Sequence, residues 1–212
     1  MTYKLITFDL DGTLLKLPAI SVVLSFVDAS KLIDFNKLEE LLAKGVISYE
    51  EALEKELKLL SGIKIDDIKR ALDNAPFIEG ISEVILELKL MGLKVMIISD
   101  NPDIICEHVA KKFGFEDFLC SKLIVKNNII IGIKKIITNK DIELEKYISR
   151  FNIKLSECIH VGDWLNDIPL FEKVGLGIGL NPKNNDVRKK AKIVIETNDL
   201  RDILRVITPH LT

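Results

Sequence analysis

The chain has 212 residues, of which 48% are hydrophobic, enough to bury one substantial core with a small accessory domain beside it. Its 30 basic and 32 acidic side chains leave a formal net charge of -2, so no overall positive field would attract nucleic acid or an anionic membrane. Three scattered cysteines lack the spacing of a disulfide framework or zinc site, and we expect them to be reduced and buried. No apolar run approaches the roughly 18 residues that a membrane span needs, and residues 1–8 lack a signal-peptide pattern. We therefore expect a cytoplasmic protein with no nucleic-acid or membrane partner.

Short, nearly continuous apolar runs alternate with helical patterns along most of the chain, as in parallel sheets that are buried on both faces. Open α/β sheets place their ligands at the carboxyl ends of the strands, because loops and helix N-termini there supply unpaired N–H groups. Polar residues follow three of the runs, at 3–8, 93–98 and 158–161. Further strands are predicted at 175–180 and 193–195, and helices at 81–91, 102–113, 140–151 and 166–174. The pattern predicts an α/β fold with its functional site at one edge of the sheet.

One long segment after the first strand lacks strand-like runs and contains several helical patterns. These patterns occur at 20–26, 37–44 and 48–60. Ser48 and Glu51 fit a capping box at the start of the last of them. We predict a helical cap over residues 15–76, inserted into an α/β core that consists of residues 1–14 and 77–212.

A second irregularity is a pair of β-branched runs, 123–126 and 129–131, that flank Asn127 and Asn128. Asparagine tolerates positive φ, which a two-residue hairpin turn requires. We predict a β-hairpin here, at the edge of the sheet.

Two carboxylates, Asp9 and Asp11, directly follow the first strand, and strand alternation sends both to the same side. Two close anions are costly unless a cation lies between them or one holds a proton, so the pair indicates a divalent metal or acid/base chemistry. Gly12 lets the backbone turn sharply, and the Thr13 hydroxyl can fix the loop. An isolated pair of this kind is equally typical of a turn or a helix cap, so its interpretation depends on further acidic residues.

Such residues occur in a second acidic pair, Asp163 and Asp167, which follows the run at 158–161. A helix that begins between them would turn both side chains toward one point above the sheet edge. Carboxylate oxygens suit Mg²⁺, which fills the rest of its shell with water and substrate phosphate. We predict a magnesium site here, with Gly162 and Asn166 in supporting roles.

Ser99 follows its strand, and Lys140 precedes a long amphipathic helix. A hydroxyl, an ammonium group and free N–H groups at helix starts would together surround a phosphoryl group and offset its charge. Lys134, Lys135 and Lys146 lie close by in sequence and are alternatives to Lys140.

In this order and combination, the residues resemble the four motifs of the haloacid-dehalogenase-like hydrolase superfamily, in particular its phosphoserine-phosphatase-like branch. The similarity covers nearly the whole chain, and the insertion lies where this family has a helical cap of the first type (C1). The resemblance implies a Rossmann-like three-layer α/β/α core with a parallel sheet. The matching residues are Asp9, Asp11 and Thr13 in the first motif, Ser99 in the second, Lys140 in the third, and Gly162, Asp163 and Asp167 in the fourth.

The resemblance implies a magnesium-dependent phosphatase that acts on a small phosphorylated metabolite through an aspartyl-phosphate. Asp9 would be the nucleophile, and Asp11 would protonate the leaving alkoxide and then act as base for water. The implied Mg²⁺ ligands are Asp9, Asp11 through its backbone carbonyl, Asp163 and Asp167. The implied phosphate-binding residues are Thr13, Ser99, Asp100 and Lys140.

The sequence differs from phosphoserine phosphatases in the segments that bind the amino-acid part of their substrate. Those enzymes carry a Glu shortly after the first motif and an Arg in the cap, whereas this chain has Leu-Leu-Lys-Leu-Pro-Ala at 14–19 and Glu-Lys-Glu-Leu at 54–57. The resemblance therefore does not single out phosphoserine. The Ser-Gly-Gly of the second motif is here Ser99-Asp100-Asn101, and we expect Asp100 and Asn101 to contact a substrate hydroxyl or to stabilise the loop.

Two other functions remain open at this point. One is phosphotransfer within a sugar, as in the phosphomutases of the superfamily, and the other is a catalytically silent binding protein that keeps the fold. A monomer and a homodimer are both compatible with the sequence.

Trp164 is interpreted as part of a pocket wall. The three histidines, His108, His160 and His210, are interpreted as structural or exposed, because they share no metal-ligand spacing.

Overall fold

The computed structural model of the chain describes residues 3–211. Its strands are β1 (Leu5–Phe8), β2 (Lys94–Pro102), β3 (Asp117–Lys126), β4 (Ile129–Lys135), β5 (Cys158–Gly162), β6 (Leu176–Leu180) and β7 (Ile193–Ile195). Within the described residues they form one seven-stranded sheet in the order β4-β3-β2-β1-β5-β6-β7. Neighbouring strands are parallel except β3 and β4, which are antiparallel.

The α-helices alternate with these strands after a run of four helices that follows β1. They are α1 (Ala19–Val27), α2 (Ala29–Ala43), α3 (Tyr49–Leu59), α4 (Ile65–Asp73), α5 (Ile81–Leu90), α6 (Asp103–Phe113), α7 (Lys140–Ile148), α8 (Ile168–Phe171), α9 (Asn185–Lys190) and α10 (Asp202–Ile207). No helix in residues 3–211 is both long enough and apolar enough to cross a membrane.

Helices cover both faces of the sheet. Side chains of β1 alternate between the faces, with Leu5 on one side and Ile6 and Phe8 on the other. Leu5 shares a buried cluster with Leu144 of α7 and Leu170 of α8. Ile6 and Phe8 belong to the larger cluster, to which α5, α6 and α10 contribute. The predicted three-layer α/β/α core with a parallel sheet is therefore confirmed.

Helices α1 to α4 form what we call the helical insertion, between β1 and α5. The predicted helices of this segment are present, but α2 begins at Ala29, because Asp28 caps its first N–H groups, those of Ser30 and Lys31. Helix α4 was not predicted. The Ser48 hydroxyl accepts a hydrogen bond from the backbone N–H of Glu51 at 3.1 Å, as expected of a cap. The division into a cap at 15–76 and a core remains a prediction.

The hairpin of β3 and β4 is confirmed, with Asn127 and Asn128 at φ values of 50° and 64°. It lies at the sheet edge, where the outer side of β4 pairs with the helical insertion. The N–H of Gly62 donates to the Ile130 carbonyl at 2.8 Å, and the N–H of Ile130 donates to the Ile63 carbonyl at 3.0 Å. This pairing, which the sequence did not reveal, covers backbone groups that an edge strand would otherwise expose.

The helix predicted at 166–174 is the one that differs most from expectation. The structure has a 3-10 turn at Leu165–Asp167 followed by the single turn of α8. The Asp167 carboxylate accepts the N–H groups of Asp163 and Trp164 at 3.0 and 3.1 Å. The chain is therefore wound tightly around this side chain before α8 begins. The three cysteines are free and buried, as predicted.

The turn of the hairpin provides a stability test. We expect Asn127→Val to lower the free energy of unfolding by about 1–2 kcal/mol, because a β-branched residue at positive φ is strained. Lys126→Val, at an exposed position in the adjoining strand, should change it by less than about 0.5 kcal/mol. Chemical denaturation of both variants measures the difference, and equal effects would contradict the positive-φ explanation.

Candidate active site

A cavity of about 320 Å³ lies between the carboxyl ends of the central strands and the helical insertion. Asp9 and Asp163, which follow β1 and β5, line its inner side. Tyr49 and Leu53 of α3 line the opposite side, and Trp164 is also part of the wall, as predicted. Parallel strands thus bring residues that are far apart in sequence to one edge of the sheet.

Lys140 is the lysine that reaches this edge. Its Nζ lies 2.7 Å from Asp9 Oδ1 and 2.7 Å from Asp167 Oδ1, and its side chain is 1% exposed. Lys135 and Lys146 instead pair with Glu143 at the surface. Burial alone would lower the pKa of Lys140, but the two carboxylates outweigh it and hold the pKa above its usual value. The ammonium group is therefore charged.

Three of the predicted metal ligands form one cluster, because oxygen atoms of Asp9, Asp163 and Asp167 lie within 4.8 Å of one another. Burial raises the pKa of Asp9 well above its usual value despite Lys140. Burial, with the nearby charge of Asp167, raises the pKa of Asp163 to about 7. Asp167 is buried too, but Lys140 and His160 hold its pKa below the usual value. One ammonium group does not balance three carboxylates, so the cluster could hold a metal ion.

The side chain of Asp11 lies outside that cluster and faces the start of α1. Its Oδ1 accepts a hydrogen bond from the N–H of Ala19 at 2.8 Å, and its Oδ2 accepts one from Asn101 Nδ2 at 2.9 Å. Burial raises the pKa of Asp11 to about 7 against these two hydrogen bonds. The carboxyl group is thus fixed in orientation and able to gain or lose a proton near neutral pH.

Gly12, Thr13 and Gly162 shape the acidic cluster. The Thr13 hydroxyl donates to Asp163 Oδ1 at 3.1 Å, so it orients a cluster carboxylate. Gly12 has φ of 77°, and a Cβ atom there would lie 2.1 Å from Asp163 Oδ2. A Cβ at Gly162 would lie 2.4 Å from Asp167 Cγ. Both glycines are therefore required by the close approach of a carboxylate to the backbone.

Asp100 and Asn101, which follow Ser99, form hydrogen bonds with neighbouring residues of the site. Asn101 Nδ2 donates to the buried Ser99 hydroxyl at 3.2 Å as well as to Asp11. Asp100 Oδ2 accepts from Asn166 Nδ2 at 2.9 Å, and the same amide lies 3.0 Å from the Tyr49 hydroxyl. Asn166 therefore connects the sheet edge to the helical insertion. Burial raises the pKa of Asp100.

His160 is a supporting residue whose contact with the cluster the sequence did not reveal. It is fully buried in β5, with Nε2 at 3.1 Å from Asp167 Oδ1 and Nδ1 at 2.8 Å from Thr7 Oγ1. Burial lowers its pKa, which favours the neutral ring with its proton on Nε2, directed at Asp167. The histidines were predicted to be structural or exposed, and the burial of His160 is compatible with the first of these. Its position two residues before Gly162, on a strand buried on both faces, was the available signal.

This fold and this arrangement of carboxylates define a class of hydrolase. The sequence model of the haloacid dehalogenase-like hydrolase family matches residues 3–175, and the chain belongs to that family. The similar proteins lie in its phosphoserine-phosphatase-like branch, as the sequence motifs indicated.

Among these relatives, a phosphoserine phosphatase of Methanocaldococcus jannaschii is 32% identical over 208 residues, which cover 96% of this chain and 97% of that protein. A solved structure described as a phospho-aspartyl intermediate analogue of phosphoserine phosphatase has a TM-score of 0.82 at 31% identity, covering 97% of this chain and 99% of that one. A HAD family hydrolase of Salmonella enterica has a TM-score of 0.87 at 21% identity, covering 96% of this chain and 70% of that one, which shows the shared fold.

The close approach at Gly12 gives a test of the site geometry. We expect Gly12→Ala to lower kcat about 100-fold or more, because its Cβ would displace Asp163 and a shift of about 1 Å in a reacting group can cost that much. Gly92→Ala is the matched control, since Gly92 has φ of 86° and nothing within 4 Å of an added Cβ. Both variants carry the same kind of backbone strain, so an equal loss of activity would argue against the clash.

Proposed function

We propose that this chain is a magnesium-dependent phosphatase that hydrolyses the phosphomonoester of a small metabolite through a phosphate bound covalently to Asp9. The observation that carries the proposal is the buried Asp9 carboxylate at the inner end of the cavity, held by Lys140 and clustered with Asp163 and Asp167. The relatives named phosphoserine phosphatase, one of them in a phospho-aspartyl intermediate analogue, support it.

In the proposed first step, a carboxylate oxygen of Asp9 attacks phosphorus, and the bond between phosphorus and the ester oxygen breaks. Asp11 gives its proton to the departing alkoxide, which leaves as the alcohol. In the second step Asp11 takes a proton from water as the water oxygen bonds to phosphorus. The bond between Asp9 and phosphorus breaks, phosphate leaves, and both carboxyl groups return to their starting states.

The surrounding residues position these two carboxyl groups and the phosphoryl group. Asn101 and the N–H of Ala19 fix Asp11, and Lys140 fixes Asp9. We assign Lys140 and Ser99 to the phosphoryl oxygens, because an ammonium group and a hydroxyl stabilise the charge that develops there. We assign Thr13 an indirect role through Asp163.

The acidic cluster fits Mg²⁺, because its three carboxylates supply hard oxygen ligands and exceed the charge of the one buried ammonium group. Asp9, Asp163 and Asp167 would hold the ion, together with the backbone carbonyl of Asp11. When bound, Mg²⁺ would offset the negative charge on the phosphoryl oxygens.

We further propose that residues 15–76 act as the cap that controls access to this site. Two kinds of contact support this assignment. Residues of α2 and α3 line the cavity, and Asn166 joins the sheet edge to Tyr49.

The nucleophile is tested by substitution. We expect Asp9→Asn to abolish the magnesium-dependent hydrolysis of p-nitrophenyl phosphate and the transient phosphoryl adduct that mass spectrometry detects in rapidly quenched enzyme. Asp34→Asn, at an exposed site on α2, is the control and should behave as the native protein. Activity that persists in Asp9→Asn, or a native protein without turnover, would contradict the proposal. Release of inorganic phosphate, rather than a second phosphorylated product, distinguishes hydrolysis from phosphotransfer.

The metal is tested by thermal stability at pH 8. Burial raises the pKa of Asp163 from 3.8 to about 7. Ionisation of this carboxyl group therefore lowers the stability of the fold as pH rises between these two values, and the whole loss of stability is present at pH 8. Without metal, Asp163→Asn should therefore melt no lower than the native protein. Saturating Mg²⁺ should raise the native melting temperature by several degrees, roughly 2–4 °C per kcal/mol, and the variant's by much less.

The control for this measurement is Asp186→Asn, which removes an exposed carboxylate on α9 and should keep the full magnesium response. A response of native size in Asp163→Asn would rule out Asp163 as a ligand.

A further inference from the structure

The outer wall of the cavity is built from one face of α2 and one face of α3. In each helix the lining residues recur at i, i+4 and i+7, the spacing that places side chains on a single helical face. Each face carries one glutamate among apolar or aromatic side chains. The lining residues are Phe35, Glu39 and Leu42 of α2 and Tyr49, Leu53 and Glu56 of α3.

Glu56 is the glutamate of α3 that lines the cavity, and among the described residues it has no cationic partner. Glu51 and Glu54, on the exposed side, pair with Lys55 and Lys58 at 2.7 and 2.6 Å. Glu56 Oε1 is buried and accepts no hydrogen bond from any described residue. Burial, the adjacent Glu39 carboxylate and the charge of Asp11 raise the pKa of Glu56 to about 8. A buried carboxylate oxygen without a donor is costly unless a ligand supplies one.

The remaining charged groups around the cavity do not supply that donor. Lys16 and Lys183 line it, but both are exposed, and in residues 3–211 neither forms an ion pair with Glu39 or Glu56. The acidic groups that face the same space from the sheet edge are Asp9, Asp11, Asp100 and Asp163. With a phosphate bound beside Asp9, the outer wall that carries Glu39 and Glu56 would face the rest of the substrate.

We infer that this cavity takes the phosphomonoester of a small alcohol that carries a protonated amine, with the amine between Glu39 and Glu56 and the phosphate at Asp9. The inference rests on the proposed function and names its substrate class. An ammonium group has three donors and a positive charge, so it would satisfy Glu56 Oε1 and separate the two carboxylates. A carboxylate at the same place would add a third acidic group to a wall that already holds Glu39 and Glu56. The amine is therefore recognised, and an additional carboxylate at that wall is disfavoured.

Matched substrates test this inference. We would assay magnesium-dependent release of phosphate from ω-aminoalkyl phosphates of increasing chain length, from the alkyl phosphates of equal length, and from ω-carboxyalkyl phosphates. At the best length, the amine should exceed its uncharged partner in kcat/KM by roughly 10- to 100-fold, the range expected of hydrogen bonds to charged groups. The carboxyalkyl phosphate and O-phosphoserine should both be poorer substrates than the amine.

Substitutions of Glu56 test whether this residue of the outer wall causes the preference for amine substrates. Glu56→Gln should bring the ratio of amine to uncharged substrate close to one, and Glu56→Lys should favour the carboxyalkyl phosphate. Glu54→Gln, which removes an exposed glutamate from the same helix, is the control and should keep the native ratio. Glu56→Gln removes an acidic group whose Oε1 is buried without a hydrogen-bond donor, next to the acidic Glu39. Its melting temperature should therefore not fall, which separates loss of recognition from loss of fold.

Binding provides a readout that does not depend on turnover. By calorimetry with Mg²⁺ present, ω-aminoalkyl phosphonates should bind the native protein more tightly than alkyl phosphonates of equal length, and Glu56→Gln should remove the difference. Equal binding of the two series, a native preference for O-phosphoserine, or an unchanged ratio in Glu56→Gln would each overturn the inference. If the protein hydrolyses p-nitrophenyl phosphate but shows no preference for amines, only the inference about the substrate is overturned and the proposed function stands.

Discussion

The ion pairs that the buried ammonium group of Lys140 makes with Asp9 and Asp167 are the interaction on which the site depends. Lys140 begins α7, while the two carboxylates follow β1 and β5, so the pairs join three distant segments. Taking these charges out of water is expensive, and the cost is tolerated only because each group has a charged partner. The same pairing leaves Asp163 without a cation of its own, so the cluster could hold a metal ion.

A second layer of buried polar groups holds these carboxylates in place. His160 contacts Asp167, Thr13 donates to Asp163, and Asn101 donates to Asp11. Each carboxyl group therefore has a fixed orientation before any ligand arrives. Fixed dipoles and charges of this kind need little reorganisation during a reaction, and catalysis by a buried site depends on that property. The glycines contribute by letting carboxylates lie against the backbone.

The helical insertion is attached to the core at two places with different chemistry. At the sheet edge, β4 forms backbone hydrogen bonds with residues 62–63, and above the site Asn166 lies within hydrogen-bonding distance of both Asp100 and Tyr49. The first attachment covers an exposed strand, whereas the second lies at the wall of the cavity. The insertion thus places its own side chains, including Glu56 with its unsatisfied Oε1, opposite the acidic residues at the strand ends.

The sequence by itself determined the alternating α/β pattern, the hairpin and the acidic residues at the strand ends, because apolar periodicity and turn chemistry are local properties. It also indicated Lys140 but left three nearby lysines open. Only the tertiary structure brought Lys140 to Asp9, left the Asp11 side chain outside the cluster of three carboxylates, and brought His160 to Asp167. The tertiary structure also placed Glu39 and Glu56 together in the outer wall of the cavity. These outcomes depend on helix rotation and on contacts between distant segments, which no local pattern encodes.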